Sequence, residues 1–424
     1  MTPEPARAWE WTPARIVLVA VAVIAAIVIR LILLPTAGLV GDIDQFVLWT
    51  HGLATAPFGN AYDQDISFPP VLVYIWGFLA AVQPAFQTAT DSSDTGIRIL
   101  MKLPAVLADI GLAVGVAYAL RSRPGWAAFA GLAIALHPAV IDVGAWWGQY
   151  ESVYVLAGLV AYLLAVGGRP GWAAVALAVA LMTKPQALPF LVPFAAWYLA
   201  RYGLAGSIRF AAIGAAVIVV LWLPFLAAGG PLRYLDNLAA YQGGLFAVLS
   251  LRAWNMWWLV QDAIGGGSFI GDSVAIAGPV TPRMFGYVIA ALLEALVFVS
   301  VWRSPTPRTL AIGIAAGSLV AFATLTTMHE RYAFAALVFL ALALPDLRVR
   351  WIWVVFSVAY TANILAATPP SHQVLNLLPI RGPLATIGTI TILAVTAAVV
   401  YLLMDSSRRR DGAPAGNAAP IAAT

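Results

Sequence analysis

Cysteine is absent from the chain, which excludes disulfides, thiolate metal sites and cysteine nucleophiles and leaves the redox compartment open. Charge is scarce too. Only 10% of residues are Asp, Glu, Lys or Arg, against 62% hydrophobic ones, and the mean hydropathy is +0.88. A water-soluble domain is not built this way. The net charge of +4 is small and unevenly placed, so nothing in it points to nucleic acid. The four histidines include no zinc helix motif, and His329-Glu330-Arg331 is not one. No metal ligands are assigned, and acidic loops are left as the place where a divalent cation could sit.

What the chain has in plenty is apolar runs near the 20 residues that cross a bilayer. They predict an all-α polytopic membrane protein of about 12 transmembrane helices. The segments are 15–35, 97–120, 125–141, 151–166, 170–183, 187–201, 208–228, 284–303, 309–328, 331–345, 351–367 and 384–404. Lys184-Pro185, Pro189 and Pro193 predict a broken hairpin between the sixth span and its predecessor. Pro69–Val82 is apolar but short and opens on two prolines, so it reads as a helix lying in the interface. The first apolar segment reads as a retained span. Sixteen tryptophans suggest aromatic belts.

Twelve spans put both termini on one side, with Arg7, Arg15, Arg121, Arg123, Arg169, Arg201, Arg209, Arg303, Arg308, Arg348, Arg350 and Arg408 to Arg410. Those are fourteen of the 23 basic residues, which makes that side cytoplasmic in a cell membrane. Most acidic residues fall on the opposite side, where two long loops, about 36–96 and 229–283, are expected to carry function. Arg-Pro-Gly-Trp-Ala-Ala occurs at 123 and again at 169, each time opening an Ala-rich helix with Pro near its first position. One domain over 1–404 and a disordered cytoplasmic tail at 405–424 complete the expected organisation.

Five polar clusters sit at external helix ends. Gly41-Asp42-Ile43-Asp44 follows the first span. Carboxylates there are either functional or part of a solvated interfacial loop, with Phe46 and Trp49 as aromatic anchors. Tyr62 to Pro70 reads equally as an Asx-rich turn or a substrate contact. Trp146-Trp147-Gly148-Gln149-Tyr150-Glu151-Ser152 has the ring faces and hydrogen-bonding groups a sugar needs. Thr183-Lys184-Pro185-Gln186 places a lysine against the charge trend, so it snorkels or meets an anion. Met328-His329-Glu330-Arg331-Tyr332 offers either a self-satisfied Glu–Arg pair or a guanidinium for a lipid phosphate.

Together with Trp49, Ser67-Phe68-Pro69-Pro70 and Lys102-Leu103-Pro104-Ala105…Ala108-Asp109, these motifs resemble the GT-C membrane glycosyltransferases over about 1–345. The nearest branch comprises prokaryotic proteins related to the mannosyltransferase that adds the second mannose of GPI anchors. The dolichyl-phosphate-glucose glucosyltransferases are more distant. Many relatives carry Asp where this chain has Ser67, and Asp or Asn where it has Glu151.

The resemblance implies the GT-C fold, with a module at about 1–228 and variable helices at about 284–404. It also implies a polyprenyl-phosphate-sugar donor, mannose in this branch, and a lipid, glycolipid or polysaccharide acceptor of the cell envelope. The reaction it implies is an inverting single displacement on the external face, with Asp42 as general base and Asp44 as a second acidic position. Gln149, Tyr150, Glu151, Lys184, Gln186, His329, Glu330 and Arg331 fall around donor or acceptor. Such chemistry needs one carboxylate to accept the acceptor's proton. The phosphate leaving group needs positive charge from Lys184, Arg331 or His329, not an acid. The competing reading is a lipid or sugar transporter, with Arg30, Asp109 and Glu294 lining its path. Pairing between helices explains those three more simply.

Overall fold

A computed structural model describes residues 10–411 apart from 245 and 277, with side chains through Ser407. Helix α1 (Pro13–Leu33) leads to two short helices of the first long loop, α2 (Val40–Thr55) and α3 (Pro70–Val82). Then come α4 (Thr95–Ala119), α5 (Pro124–Ala135) and α6 (Pro138–Ile141), which runs into a π-helical turn, Asp142–Trp147. Helices α7 (Glu151–Val166) and α8 (Pro170–Leu181) follow, and a 3-10 stretch, Pro185–Phe190, leads into α9 (Leu191–Trp222). The second long loop holds α10 (Gly230–Gly243), strand β1 (Ser250–Leu251) and α11 (Met256–Ile264). Helices α12 (Pro282–Arg303) and α13 (Pro307–Thr324) precede strand β2 (Met328–His329) and α14 (Phe334–Ala341). Helices α15 (Leu347–Ala367), α16 (His372–Leu377) and α17 (Pro383–Asp411) close the chain.

The molecule is an all-α polytopic membrane protein; its two short strands form one parallel pair. Each of the twelve expected segments is at least partly helical, but fewer are long enough to span. Among the described residues, seven helices have the length and apolar composition to cross a membrane, or eight if the pair around Pro138 counts as one span bent by 48°. Proline and glycine explain the difference. His137 precedes Pro138 and leaves helical geometry, which breaks the expected 125–141 segment. The expected spans at 151–166, 170–183 and 331–345 contain helices of 16, 12 and 8 residues. The segments 187–201 and 208–228 lie in one helical run, kinked at Gly203, whose φ of +65° only glycine adopts freely. The repeated Arg-Pro-Gly-Trp places Arg123 and Arg169 at N-caps, with Pro124 and Pro170 opening α5 and α8. Of the expected tail, 405–411 continues α17, and 412–424 lies outside the described residues.

Burial decides which helices meet lipid. In α13, 83% of the apolar window is buried inside the protein, against 11% in α1, so α13 is the axis around which the others pack. Phe46 and Trp49 are not lipid anchors. Both are buried in an internal aromatic cluster with Phe68, Trp76 and Tyr150; Phe46 stacks on Trp76 at 5.5 Å between ring centres. That cluster fixes α2 against α3 and the start of α7. Arg30 pairs with Asp109 at 3.4 Å, and Ser152 also donates to Asp109, so these groups join α1, α4 and α7.

Candidate active site

Asp42 sits in the first turn of α2, where the free N–H groups of the helix end favour a carboxylate. Its Oδ2 accepts two hydrogen bonds, from Gln149 Nε2 at 2.5 Å and from Trp147 Nε1 at 3.0 Å. Asp44 is two residues on, and positions two apart on a helix do not share a face. It turns away and accepts from the backbone N–H and the hydroxyl of Ser92, at 2.8 and 2.5 Å. The expectation that both acids face the substrate is therefore corrected: Asp42 lines the cavity and Asp44 holds the loop.

The Trp-Gly-Gln segment reaches Asp42 because the π-helical turn ends at Gly148, with φ of +88°. A side chain there would collide with Lys102. Lys102 is itself fully buried and donates to the carbonyls of Trp146, at 2.6 Å, and Thr36, at 2.8 Å. It thereby ties this turn to the connection between α1 and α2. Lys102 belonged to a recognised motif, but its stapling role was not legible from it. Tyr150, expected at the substrate, is buried beside the cavity, donating to the carbonyl of Met101 and accepting from Trp76 Nε1. It is a strut of the aromatic cluster.

Opposite Asp42 lies a buried ionic network. Glu151 Oε1 is 2.5 Å from Lys184 Nζ and 3.2 Å from Arg331 Nε, and Arg331 also donates to Glu330 at 3.0 Å. The guanidinium of Arg331 lies 4.8 Å over the ring of Trp147, whose N–H serves Asp42. One indole therefore connects the candidate base to a cation. Burial lowers the Lys184 ammonium from its ordinary value while Glu151 opposes the shift, and burial raises Glu330 against the pull of Arg331. Burial, reinforced by Arg331 and Lys184, holds His329 well below its usual range and so neutral. His329 Nδ1 lies 3.3 Å from Arg331 Nη1, an arrangement that suits a neutral imidazole accepting from the guanidinium.

The His-Glu-Arg segment is positioned by the second loop. Strand β2 pairs with β1, Thr327 donates to the carbonyls of Val248 and Leu249, and Tyr360 donates to the carbonyl of Arg331 at 3.0 Å. Thr327 adopts a φ of +61°, a strained value for a β-branched residue, and it lines the cavity.

These pieces enclose a cavity of about 740 Å³. Asp42, Gln149, Lys184, Gln186, His329 and Arg331 line it; Glu151 and Glu330 back the two cations from behind. Gln45, Arg283, Tyr241, Phe246 and Glu294 line it too; of these the sequence singles out Glu294 alone, for the transporter reading. Gln45 had a signal, its spacing of three from Asp42. Glu294, expected to pair between helices, instead faces the cavity from α12 and keeps one carboxyl oxygen without a hydrogen-bond partner. Among the described residues no group of three or more His, Asp or Glu is arranged to hold a metal ion.

No family model matches the chain, and no curated protein matches it. The crystal structure of ArnT from Cupriavidus metallidurans bound to undecaprenyl phosphate is similar in fold. The TM-score is 0.50 at 18% identity, covering 93% of this chain and 78% of that one. The chain has the GT-C fold.

Proposed function

We propose that the chain is an inverting glycosyltransferase of the membrane. It moves a hexose, mannose on the motif resemblance, from a polyprenyl-phosphate donor to a lipid or polysaccharide acceptor on the external face. One observation carries the proposal. A half-buried carboxylate, Asp42, shares a cavity with Lys184 and Arg331, and Trp147 and Gln149 fix its orientation. The fold similarity to a protein that binds undecaprenyl phosphate supports the lipid-linked donor.

In this reading Asp42 takes the proton of the acceptor hydroxyl as that oxygen attacks the anomeric carbon. The bond from that carbon to the phosphate oxygen breaks, the configuration inverts, and polyprenyl phosphate leaves with its charge met by Arg331 and Lys184. Glu151 and Glu330 hold the two cations in place. The module at about 1–228 supplies Asp42, Gln149 and Lys184, while the helices at about 284–404 supply His329 and Arg331. With the bent pair around Pro138 counted as an eighth span, both termini fall on the arginine-rich, cytoplasmic side and the cavity on the external one.

The test uses purified protein in nanodiscs with radiolabelled polyprenyl-phosphate-mannose and a membrane lipid extract. Label passing into a new lipid or polysaccharide supports the proposal. Label that stays on the donor with every hexose and acceptor offered, while sealed vesicles show flux of the lipid, favours a transporter.

A further inference from the structure

The cations at the cavity are each paired with a carboxylate, whereas several of its neutral polar groups keep unpartnered atoms. Gln45 lies one turn after Asp42 on the same face of α2 and lines the cavity. Its amide nitrogen is buried without a hydrogen-bond partner. Gln149 spends its amide nitrogen on Asp42 and leaves its carbonyl oxygen unpartnered. Gln186 also keeps an unpartnered buried oxygen. Three carboxamides on three different segments thus bring unused hydrogen-bonding capacity to one cavity. Native interiors rarely leave buried polar atoms unpaired, so a cluster of them at a cavity wall marks groups that a ligand completes.

The chemistry of the set selects the ligand. A carboxamide donates and accepts at once and carries no charge, as does a hydroxyl. An anion would be served by Arg331 and Lys184, and a hydrocarbon chain would leave all three amides unpaired. A ring carrying several hydroxyls uses both capacities. We propose that Gln45 is a specificity-determining residue that reads hydroxyls of the transferred sugar, with Gln149 and Gln186 as its companions. This rests on the glycosyltransferase reading above and names the part of the donor that the neutral wall recognises. Gln45 and Asp42, three apart on a helix, have Cβ atoms roughly 5–6 Å from each other. Gln45 therefore addresses hydroxyls close to the reacting carbon, where epimeric hexoses differ.

The experiment compares full-length wild type, Gln45→Leu and Gln45→Glu in nanodiscs. Affinity is measured for bare polyprenyl phosphate and for polyprenyl phosphates carrying mannose, glucose or galactose, and kcat/KM is measured for the three donors. Wild type is expected to bind one glycosylated lipid more tightly than the bare one. Gln45→Leu should bind bare polyprenyl phosphate within about twofold of wild type, which also shows that it is folded. It should lose on the order of tenfold or more of both the preference for the sugar and the discrimination among epimers, because a hydrogen-bonding partner is missing. Gln45→Glu keeps size and polarity but removes the donor, and it should lose the same preference. Undiminished epimer discrimination in both variants overturns the assignment of Gln45 while leaving the enzyme reading intact. Wild type that binds neither bare nor glycosylated lipid overturns the enzyme reading, and this inference with it.

Discussion

Gln149 and Asp42, 107 residues apart in sequence, meet at 2.5 Å through the amide nitrogen of one and Oδ2 of the other. With Trp147 on the same oxygen, the carboxylate is held in one orientation and its other oxygen stays available to take a proton. Gln149→Leu removes one of the two holding bonds. We expect kcat to fall roughly 100-fold, the scale of a misplaced reacting group, with affinity for bare polyprenyl phosphate nearly unchanged. Steady-state kinetics paired with lipid titration check this; a loss confined to affinity would show that Gln149 only binds.

Asp44 makes a contrasting case. Its two hydrogen bonds run to Ser92 and it takes no part in the cavity. Asp44→Ala should lower thermal stability, by about 1.5–3 kcal/mol for loss of bonds to a charged acceptor, and keep kcat within a few-fold. An inactive but stable Asp44→Ala protein would place Asp44 in the reaction.

Glu151 is fully buried between two cations. Removing one member of such a set leaves a buried charge uncompensated and costs about 3–5 kcal/mol. Glu151→Leu alone should therefore be strongly destabilised. The double variant Glu151→Leu with Lys184→Met should recover most of the loss, since Arg331 retains Glu330. Thermal unfolding of the two single variants and the double variant measures the coupling. Additive losses would mean that the pair contributes nothing specific.

His329 is held neutral by burial and by Arg331 and Lys184. A group that stays neutral when folded but takes up a proton near pH 6.5 when unfolded destabilises the fold as pH falls through that value. The melting temperature of wild type should therefore drop more between pH 7.5 and pH 5 than that of His329→Gln. The transfer activity of the two proteins should follow the same pH profile between pH 6 and 8. A wild-type activity step near pH 6.5 that vanishes in His329→Gln would show a titrating histidine at the site.

Local rules carried much of the fold. Apolar runs located the helices, and Pro124 and Pro170 marked two helix starts correctly. The span count was less legible, because prolines and glycines such as Pro138 and Gly203 divide runs that composition reads as continuous. Segments of the site could be named from their polar clusters, whereas the pairings could not. Glu151 finds Lys184 and Arg331 only after three separate segments have packed. The opposite facing of Asp42 and Asp44 follows from helix geometry once α2 includes both. The same geometry puts Gln45 beside Asp42. Phe46 and Trp49 are apolar at an interface by sequence and internal by structure, a distinction that depends on where α3 docks.

Asp42 is proposed above as the base of a lipid-linked glycosyl transfer, and that role is open to a direct test. It is tested most directly with wild type and Asp42→Asn side by side in nanodiscs, measuring polyprenyl-phosphate-mannose binding and label transfer on the same preparations. Binding should be equal, with transfer by wild type and none above background by Asp42→Asn. Full transfer by the variant would contradict that role.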